Sequence, residues 1–346
     1  MDKRIIQILN DFGLPRIIII SFLIILLIMA FTLGIPLSDL LSAILVRTGM
    51  NGILVLAMVP TITSGVGLNF GLPLGIICGL LGALISIELN LMGFPALFIA
   101  IMTAIPIAVI IGYGYGFLLN KVKGSEMAVG TYMGFSAVSI GCIGWLILPF
   151  KSPELIWPIG GGLRVTISLT NRLDKVLNNF LSIEIGGLNI PTGSLLFLLI
   201  FGGILWLFLR SKTGIAMRTV GENPRFAVAS GLSVDKYRII GTMLSTILGA
   251  IGIIVYAQSF GFLQLYTAPM FMGFAAVAAI LIGGATVKKA SIINVFIGTF
   301  LFQSILVVAL PVANKIMVTG DVAEISRIII SNGVILYALT QIKERV

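Results

Sequence analysis

Hydrophobic residues run through this chain in long blocks, broken at intervals by short clusters of charge, Gly and Pro. Apolar runs of roughly 18 or more residues recur over nearly the whole length, and the hydrocarbon core of a bilayer asks for about 20 residues per helix. Reading each block between its breakers predicts spans at 17–34, 49–64, 71–89, 95–119 and 127–148. A second set follows at 192–209, 239–260, 267–283, 291–311 and 326–342. The pattern predicts a single all-α, polytopic membrane domain over residues 1–346, with about ten transmembrane helices. Spans two to five and seven to ten start from opposite sides in this topology, as two inverted five-helix halves require.

Two polar stretches interrupt the blocks. In the one from 150 to 191, Leu173, Val176, Leu177, Phe180 and Leu181 share one helical face, which predicts an amphipathic helix over 171–181. Such a helix would lie on the outer membrane surface or dock an external partner. The other stretch, from 210 to 238, is the longest segment predicted on the cytoplasmic side.

Composition sharpens the picture. The chain is 58% hydrophobic and only 10% charged, far from the soluble balance of about 45–50% apolar and 25% charged. Mean hydropathy is +1.14. The 40 glycines suit close helix packing in lipid. Cys78 and Cys142 each lie inside an apolar run, and histidine is absent, so a disulfide framework, a metal centre and imidazole catalysis are excluded. A basic start at Lys3 and Arg4 precedes the greasy stretch from Ile17 to Phe31 with no small-residue cleavage site after it, which reads as a retained first span.

The net charge of +9 is dispersed between spans and not gathered on a polar domain, which argues topology and not nucleic acid. With a cytoplasmic N-terminus, fifteen of the 22 Lys and Arg fall inside: 3, 4, 16, 121, 123, 210, 212, 218, 225, 236, 238, 288, 289, 343 and 345. Arg47, Lys151, Arg164, Arg172, Lys175, Lys315 and Arg327 fall outside. That bias follows the positive-inside rule and puts both termini of a plasma-membrane protein in the cytoplasm.

The sharpest local signal is Gly221-Glu222-Asn223-Pro224-Arg225-Phe226-Ala227-Val228-Ala229-Ser230-Gly231. Asn223 can cap a helix, Pro224 suits its first position, and Gly231 suits a left-handed stop. A helix from Pro224 to Ser230 is only about 10 Å long and needs a partner surface. That partner is either the neighbouring span ends, in a tidy connector, or a separate cytoplasmic subunit. Ala227, Ala229 and Ser230 give it a slim surface.

The spacing Gly221, Asn223, Ala227, Gly231, followed by Leu232, resembles the G-x-N-x-x-x-A-x-x-x-G-[IL] motif of ABC importer permeases. The family in question serves ribose and other simple sugars, nucleosides, autoinducer-2 and branched-chain amino acids. Arg210-Ser211-Lys212-Thr213-Gly214 is similar to the family's lead-in, and Ala275 to Gly284 resembles its alanine-rich span ending in Gly-Gly. Ser64 to Gly71 departs from the sugar branch, whose signature carries an Asp, while Lys123 to Thr131, with Ser125-Glu126, is similar to the nucleoside branch. The resemblance implies a permease for a small polar solute, a simple sugar or nucleoside, working by alternating access. It also implies cytoplasmic ATPase subunits that carry ATP-Mg, a second permease copy or paralogue, and an extracytoplasmic solute-binding protein. Residues 221–231 would then be the coupling helix. No cofactor, metal or catalytic residue is expected on this chain.

Gly65–Gly71 and Gly261–Pro269 place Gly and Pro at membrane depth beside polar groups, and such paired interruptions point to a translocation path. Ser64, Asn69, Phe70, Gln258, Gln264 and Tyr266 are the candidate lining residues, although helix–helix hydrogen bonds would use the same residue types. Glu88 is predicted at headgroup level. A branched-chain amino-acid permease is the nearest alternative. An ion-coupled transporter lacks mid-span acids here, a channel lacks a filter-like loop, and an enzyme lacks paired acids, metal ligands or an activated nucleophile. The nearest approach to a P-loop, Gly283 to Lys289, lacks its second Gly and its hydroxyl.

Overall fold

The computed structural model describes residues 14–316 except 159, together with 328, 329, 332, 333, 335 and 336. Apart from those six positions, the span expected at 326–342 lies outside the described residues, as do Lys3 and Arg4.

The chain is mostly helical. Helices α1 (Leu14–Thr32), α2 (Leu37–Leu56), α3 (Met58–Thr63), α4 (Leu72–Glu88), α5 (Gly93–Lys121) and α6 (Glu126–Ile147) form the first group. Strand β1 (Thr166–Ser168), the single turn α7 (Val176–Asn179) and the hairpin β2 (Ile183–Ile185) and β3 (Leu188–Ile190) follow. The second group is α8 (Thr192–Arg210), α9 (Lys212–Glu222), α10 (Pro224–Ala229), α11 (Val234–Phe260), β4 (Phe262–Gln264), α12 (Met272–Ile282) and α13 (Ile292–Ile316). Among the described residues six helical stretches are long and apolar enough to cross a membrane: Leu37–Thr63, α5, α6, α8, α11 and α13. Ile17–Thr32, α4 and Ala268–Ile282 are apolar but shorter.

Most expected spans match these helices closely. The second does not: helix begins at Leu37, twelve residues before 49. Asp39, Ser42, Arg47, Thr48 and Asn51 made that stretch look too polar for lipid. Inside the fold Thr48 Oγ1 donates to the Ile44 carbonyl at 2.8 Å and Asn51 Nδ2 to the Arg47 carbonyl at 3.0 Å, so part of that polarity is satisfied along the helix itself. Arg47 therefore belongs to a span and not to an outer loop. Pro60, which has no N–H to give, marks the α2–α3 break.

Helix α11 is the axis of the bundle, packing on α2, α4 and α5. Close approach depends on small residues, since without water no hydrophobic force joins helices in lipid. A methyl group placed on Gly75 of α4 would sit 2.5 Å from the Thr246 carbonyl oxygen of α11.

The two ends of the bundle differ. One end collects α9, α10, the α5–α6 turn and the start of α11, together with Lys121, Lys123, Arg210, Lys212, Arg218, Arg225, Lys236, Arg238, Lys288 and Lys289; we call it the basic face. The other carries the 150–191 segment, where β1 pairs antiparallel with β4 in the register Thr166–Gln264 to Ser168–Phe262, and β2 with β3. The amphipathic helix expected over 171–181 is not formed. Only Val176–Asn179 is helical, because Lys175 and Leu181 take left-handed backbone at φ 51° and 53°. Lys175 N–H donates to the Gln258 carbonyl at 2.7 Å, which pulls the chain out of helix. Leu173 and Leu177 are nevertheless buried, while Phe180 and Leu181 are exposed.

Candidate functional site

The capped segment folds as its residues dictate. Asn223 Oδ1 accepts the Phe226 N–H at 3.0 Å, Pro224 opens α10, and Gly231 at φ 77° closes it while Leu232 N–H returns to the Ala227 carbonyl at 2.9 Å. Ser230 is the C-cap and not part of the helix. Ala227 is fully buried, so the outward surface consists of Arg225, Phe226, Val228 and Ala229. Phe226 and Val228 make it more apolar than the alanines alone suggested. A preceding helix, α9, was not anticipated. Ser211 Oγ caps it through the Gly214 N–H, and Met217 and Val220 bury its inner face.

Two motifs far apart in sequence meet here. Gly221 lies directly against Thr63 and Gly65, and a Cβ on Gly65, itself at φ 75°, would stand 2.9 Å from the Gly221 Cα. The start of the capped segment thus rests on the end of α3 and the interrupted loop 65–71, with no side chain between. The same loop is bound by Arg238 of α11. Its Nη1 donates to the Gly65 carbonyl at 3.2 Å, Nε to Asn120 Oδ1 at 2.9 Å, and Nη2 to Glu126 Oε1 at 2.5 Å. Arg238 and Glu126 side chains are 10% and 15% exposed, so this is a buried pair whose charges are compensated by contact. Lys123 and Asp235 add an exposed ion pair at 2.6 Å. Sequence reasoning singled out Ser125-Glu126 by resemblance but gave Arg238 no role beyond its sign. The joint signal was an arginine in the first turn of a membrane span.

The candidate pathway residues separate into distinct groups. Ser64 is buried against α11, its hydroxyl donating to the Thr61 carbonyl at 3.1 Å. Asn69 Nδ2 donates to Ser245 Oγ at 2.8 Å and Asn69 Oδ1 accepts from the Tyr115 hydroxyl at 3.1 Å, so one amide joins the loop to α5 and α11. Phe70 meets Phe274 of α12 with ring centroids 5.4 Å apart, so the first interrupted segment packs on the helix that follows the second. Gln258, Gln264 and Tyr266 lie towards the opposite end. Gln258 is fully buried, its Oε1 accepting the Leu177 N–H at 3.0 Å and its Nε2 donating to Ser259 Oγ at 2.6 Å. Asn178 Oδ1 accepts from Ser194, Gln258 and Ser259 in the same node. Gln264 sits in the β1–β4 ribbon, and the Tyr266 hydroxyl donates to the Leu163 carbonyl at 2.9 Å.

Polar anchors fix the 150–191 segment. The Glu88 carboxylate accepts the Lys151 and Ser152 N–H groups at 3.0 Å each, consistent with its expected place at the span end. Arg172 forks onto Glu154 at 3.1 and 2.9 Å, and this hydrogen-bonded guanidinium holds the Glu154 carboxyl below its ordinary value.

A cleft of about 240 Å³ opens between α2, α11, α12 and α13, below loop 261–271. Arg47, Asn51, Tyr256, Phe271 and Gln303 are among its lining residues. None of the five was a candidate from sequence, because their nearness depends on the packing of four separate helices.

The described residues form an apolar helical bundle with a short capped helix at its basic end. Residues 40–339 match the family described as branched-chain amino acid transport system / permease component, and the chain belongs to that family. It is 33% identical over 95 residues to the nucleoside ABC transporter permease protein NupC of Lactococcus lactis subsp. cremoris, covering 28% of this chain and 30% of that one. It is 36% identical over 81 residues to the guanosine ABC transporter permease protein NupQ of Bacillus subtilis, covering 23% and 25%. To the tyrosine transport system permease protein of Clostridioides difficile it is 25% identical over 225 residues, covering 61% and 73%. The matched stretch thus spans under a third of the length of either nucleoside permease. No solved structure matches.

Proposed function

We propose that the chain is the transmembrane permease subunit of an ATP-driven ABC importer for a simple sugar or nucleoside, with ATP-Mg held by separate cytoplasmic ATPase subunits. In this reading it crosses the inner membrane about ten times in two inverted five-helix halves, its basic face and both termini in the cytoplasm. A second permease, either a copy or a paralogue, completes the pathway, and a solute-binding protein delivers solute to the 150–191 face. The observation that carries the reading is that Gly221, at the end of α9 just before the α10 knob, sits without side chains on Thr63 and Gly65. A push on Phe226, Val228 or Ala229 would reach Gly65 through Gly221 and pass to α5, α6 and α11 through Arg238. Rigid-body switching of a packed, two-state interface is the physical form of such coupling. Ser64, Asn69 and Phe70 would then move with the inner gate, and Gln258, Gln264 and Tyr266 with the outer. The partial match to a tyrosine permease favours amino-acid import as the second reading.

The test is steric. Ala229→Trp adds bulk to the exposed face of α10 and leaves the buried Ala227 untouched. ATP-driven uptake into vesicles by the assembled transporter should fall to background while the unfolding midpoint of the permease stays put. Normal uptake by the Trp variant would reduce α10 to a connector between spans.

A further inference from the structure

The cleft beside Arg47 has chemistry that the bundle itself does not use. Gln303 is 94% buried by virtue of its 6% exposure, yet among the described residues no hydrogen bond engages its side-chain amide. The amide is not sealed in the bundle but opens onto the cleft, where its donor and acceptor are available to a ligand. The Arg47 guanidinium, about 15 Å down α2 from Leu37 at 1.5 Å per residue, likewise has no ion pair or hydrogen bond among the described residues. Arg47 is exposed, so its guanidinium is open to a molecule that enters the cleft. Asn51 spends its Nδ2 on the Arg47 carbonyl and leaves Oδ1 free. Facing these are Phe271 and Tyr256, with Leu54, Ala275 and Ala279 as apolar wall.

The arrangement discriminates between solute classes. Among the described residues no acid lines the cleft. Asp39, the nearest on α2, is eight residues from Arg47, about 12 Å along the helix, and lines an adjoining recess that shares Arg47 and Leu306 with the cleft. A free sugar carries hydroxyls all round its ring, whereas among the described residues only Arg47, Asn51, Tyr256 and Gln303 bring polar side chains to the cleft and the rest of its wall is apolar or aromatic. Its volume of about 240 Å³ is slightly below the range of about 300–1,000 Å³ usual for small-molecule pockets.

We propose that this cleft is a solute-contact site for an uncharged planar heterocycle of the nucleobase or nucleoside class. Gln303 and Asn51 read its hydrogen-bonding edge, Arg47 donates to a ring carbonyl, and Phe271 and Tyr256 cover its face. The site deepens the import reading and rests on it.

The experiment uses the full chain in lipid nanodiscs, photolabelled with 8-azidoguanosine and mapped by peptide mass spectrometry. Label is expected on the stretches carrying Arg47 to Val55, Ala268 to Ala279 or Gln303 to Leu306, suppressed by excess guanosine and not by tyrosine. Gln303→Leu, which orphans no partner inside the chain, should lower labelling about tenfold without moving the unfolding midpoint. Arg47→Lys, which keeps charge and loses the planar fork, should lower it as well. Label elsewhere, label that guanosine does not compete, equal competition by tyrosine, or undiminished labelling of Gln303→Leu would each overturn the site. Vesicle uptake by the complete transporter separates the two readings: ATP-driven uptake without label in the cleft removes this site alone, and no ATP-driven uptake of any solute removes the import reading.

Discussion

Arg238 and Arg47 both lie on membrane-spanning helices, and their surroundings are opposite. Arg238 donates to a carboxylate, an amide and a carbonyl from three different segments, so its charge is consumed in holding Gly65, Asn120 and Glu126 together. Arg47 faces a cleft beside an amide that no neighbour engages. In a low dielectric a charge is tolerated when its partners are fixed, and it invites a ligand when they are missing. The first arrangement ties three segments together, and the second leaves a guanidinium and an amide without hydrogen bonds among the described residues. The difference comes from partners and not from residue type.

The largest effect that would break this contrast is expected at Arg238. Arg238→Ala leaves Glu126 buried and alone, which should cost about 3–5 kcal/mol and lower the unfolding midpoint in detergent steeply. The double variant Arg238→Met with Glu126→Leu should recover most of that loss while uptake stays impaired, since packing returns but the loop at Gly65 is no longer tied. If Arg238→Ala unfolds at the parent midpoint, the cluster is not a structural tie.

A middle-sized effect sharpens the role of the knob. Asn223→Ala removes the cap on Phe226 N–H and should cost about 0.5–2 kcal/mol of local helix stability. Hydrogen exchange at residues 224–229 should rise while the membrane helices keep their protection, and coupled ATP turnover should weaken without vanishing. Unchanged exchange would show that the helix is held by Ala227 packing alone.

The smallest effect belongs to the opposite face. The Glu154 carboxyl lies below its ordinary value because Arg172 hydrogen-bonds it, so the pair contributes above the ordinary carboxyl range and the contribution is lost as pH falls through the lowered value. The Glu154 side chain is 46% exposed although Arg172 is only 10% exposed, so solvent still screens the pair and the loss should be about 1 kcal/mol. Unfolding midpoints taken from neutral pH to about pH 3 should show a decline that Glu154→Gln flattens. A decline of equal size in that variant would assign it to other carboxylates.

Helix positions were readable because long apolar runs carry their own signal, and α5, α6, α8, α11 and α13 appear close to the expected bounds. The α10 cap was readable because Asn223, Pro224 and Gly231 act on backbone within a few residues. The start of the second span was misjudged because polarity was counted per residue, while Thr48 and Asn51 satisfy themselves along the helix. The 171–181 helix was misjudged because Lys175 bonds to Gln258, more than eighty residues away, and long-range hydrogen bonds overrule local periodicity.

By itself the sequence determined that the chain lives in lipid, where its helices run, which way its charges lean, and where a short capped helix would protrude, since all of these depend on residues within a few turns of one another. Tertiary structure decided that Gly221 rests on Gly65, that Arg238 joins three segments, and that Arg47, Asn51, Tyr256, Phe271 and Gln303 share one cleft. Those juxtapositions depend on how helices distant in sequence pack, and a hydrophobic pattern fixes which face of a helix is buried without fixing which neighbour covers it.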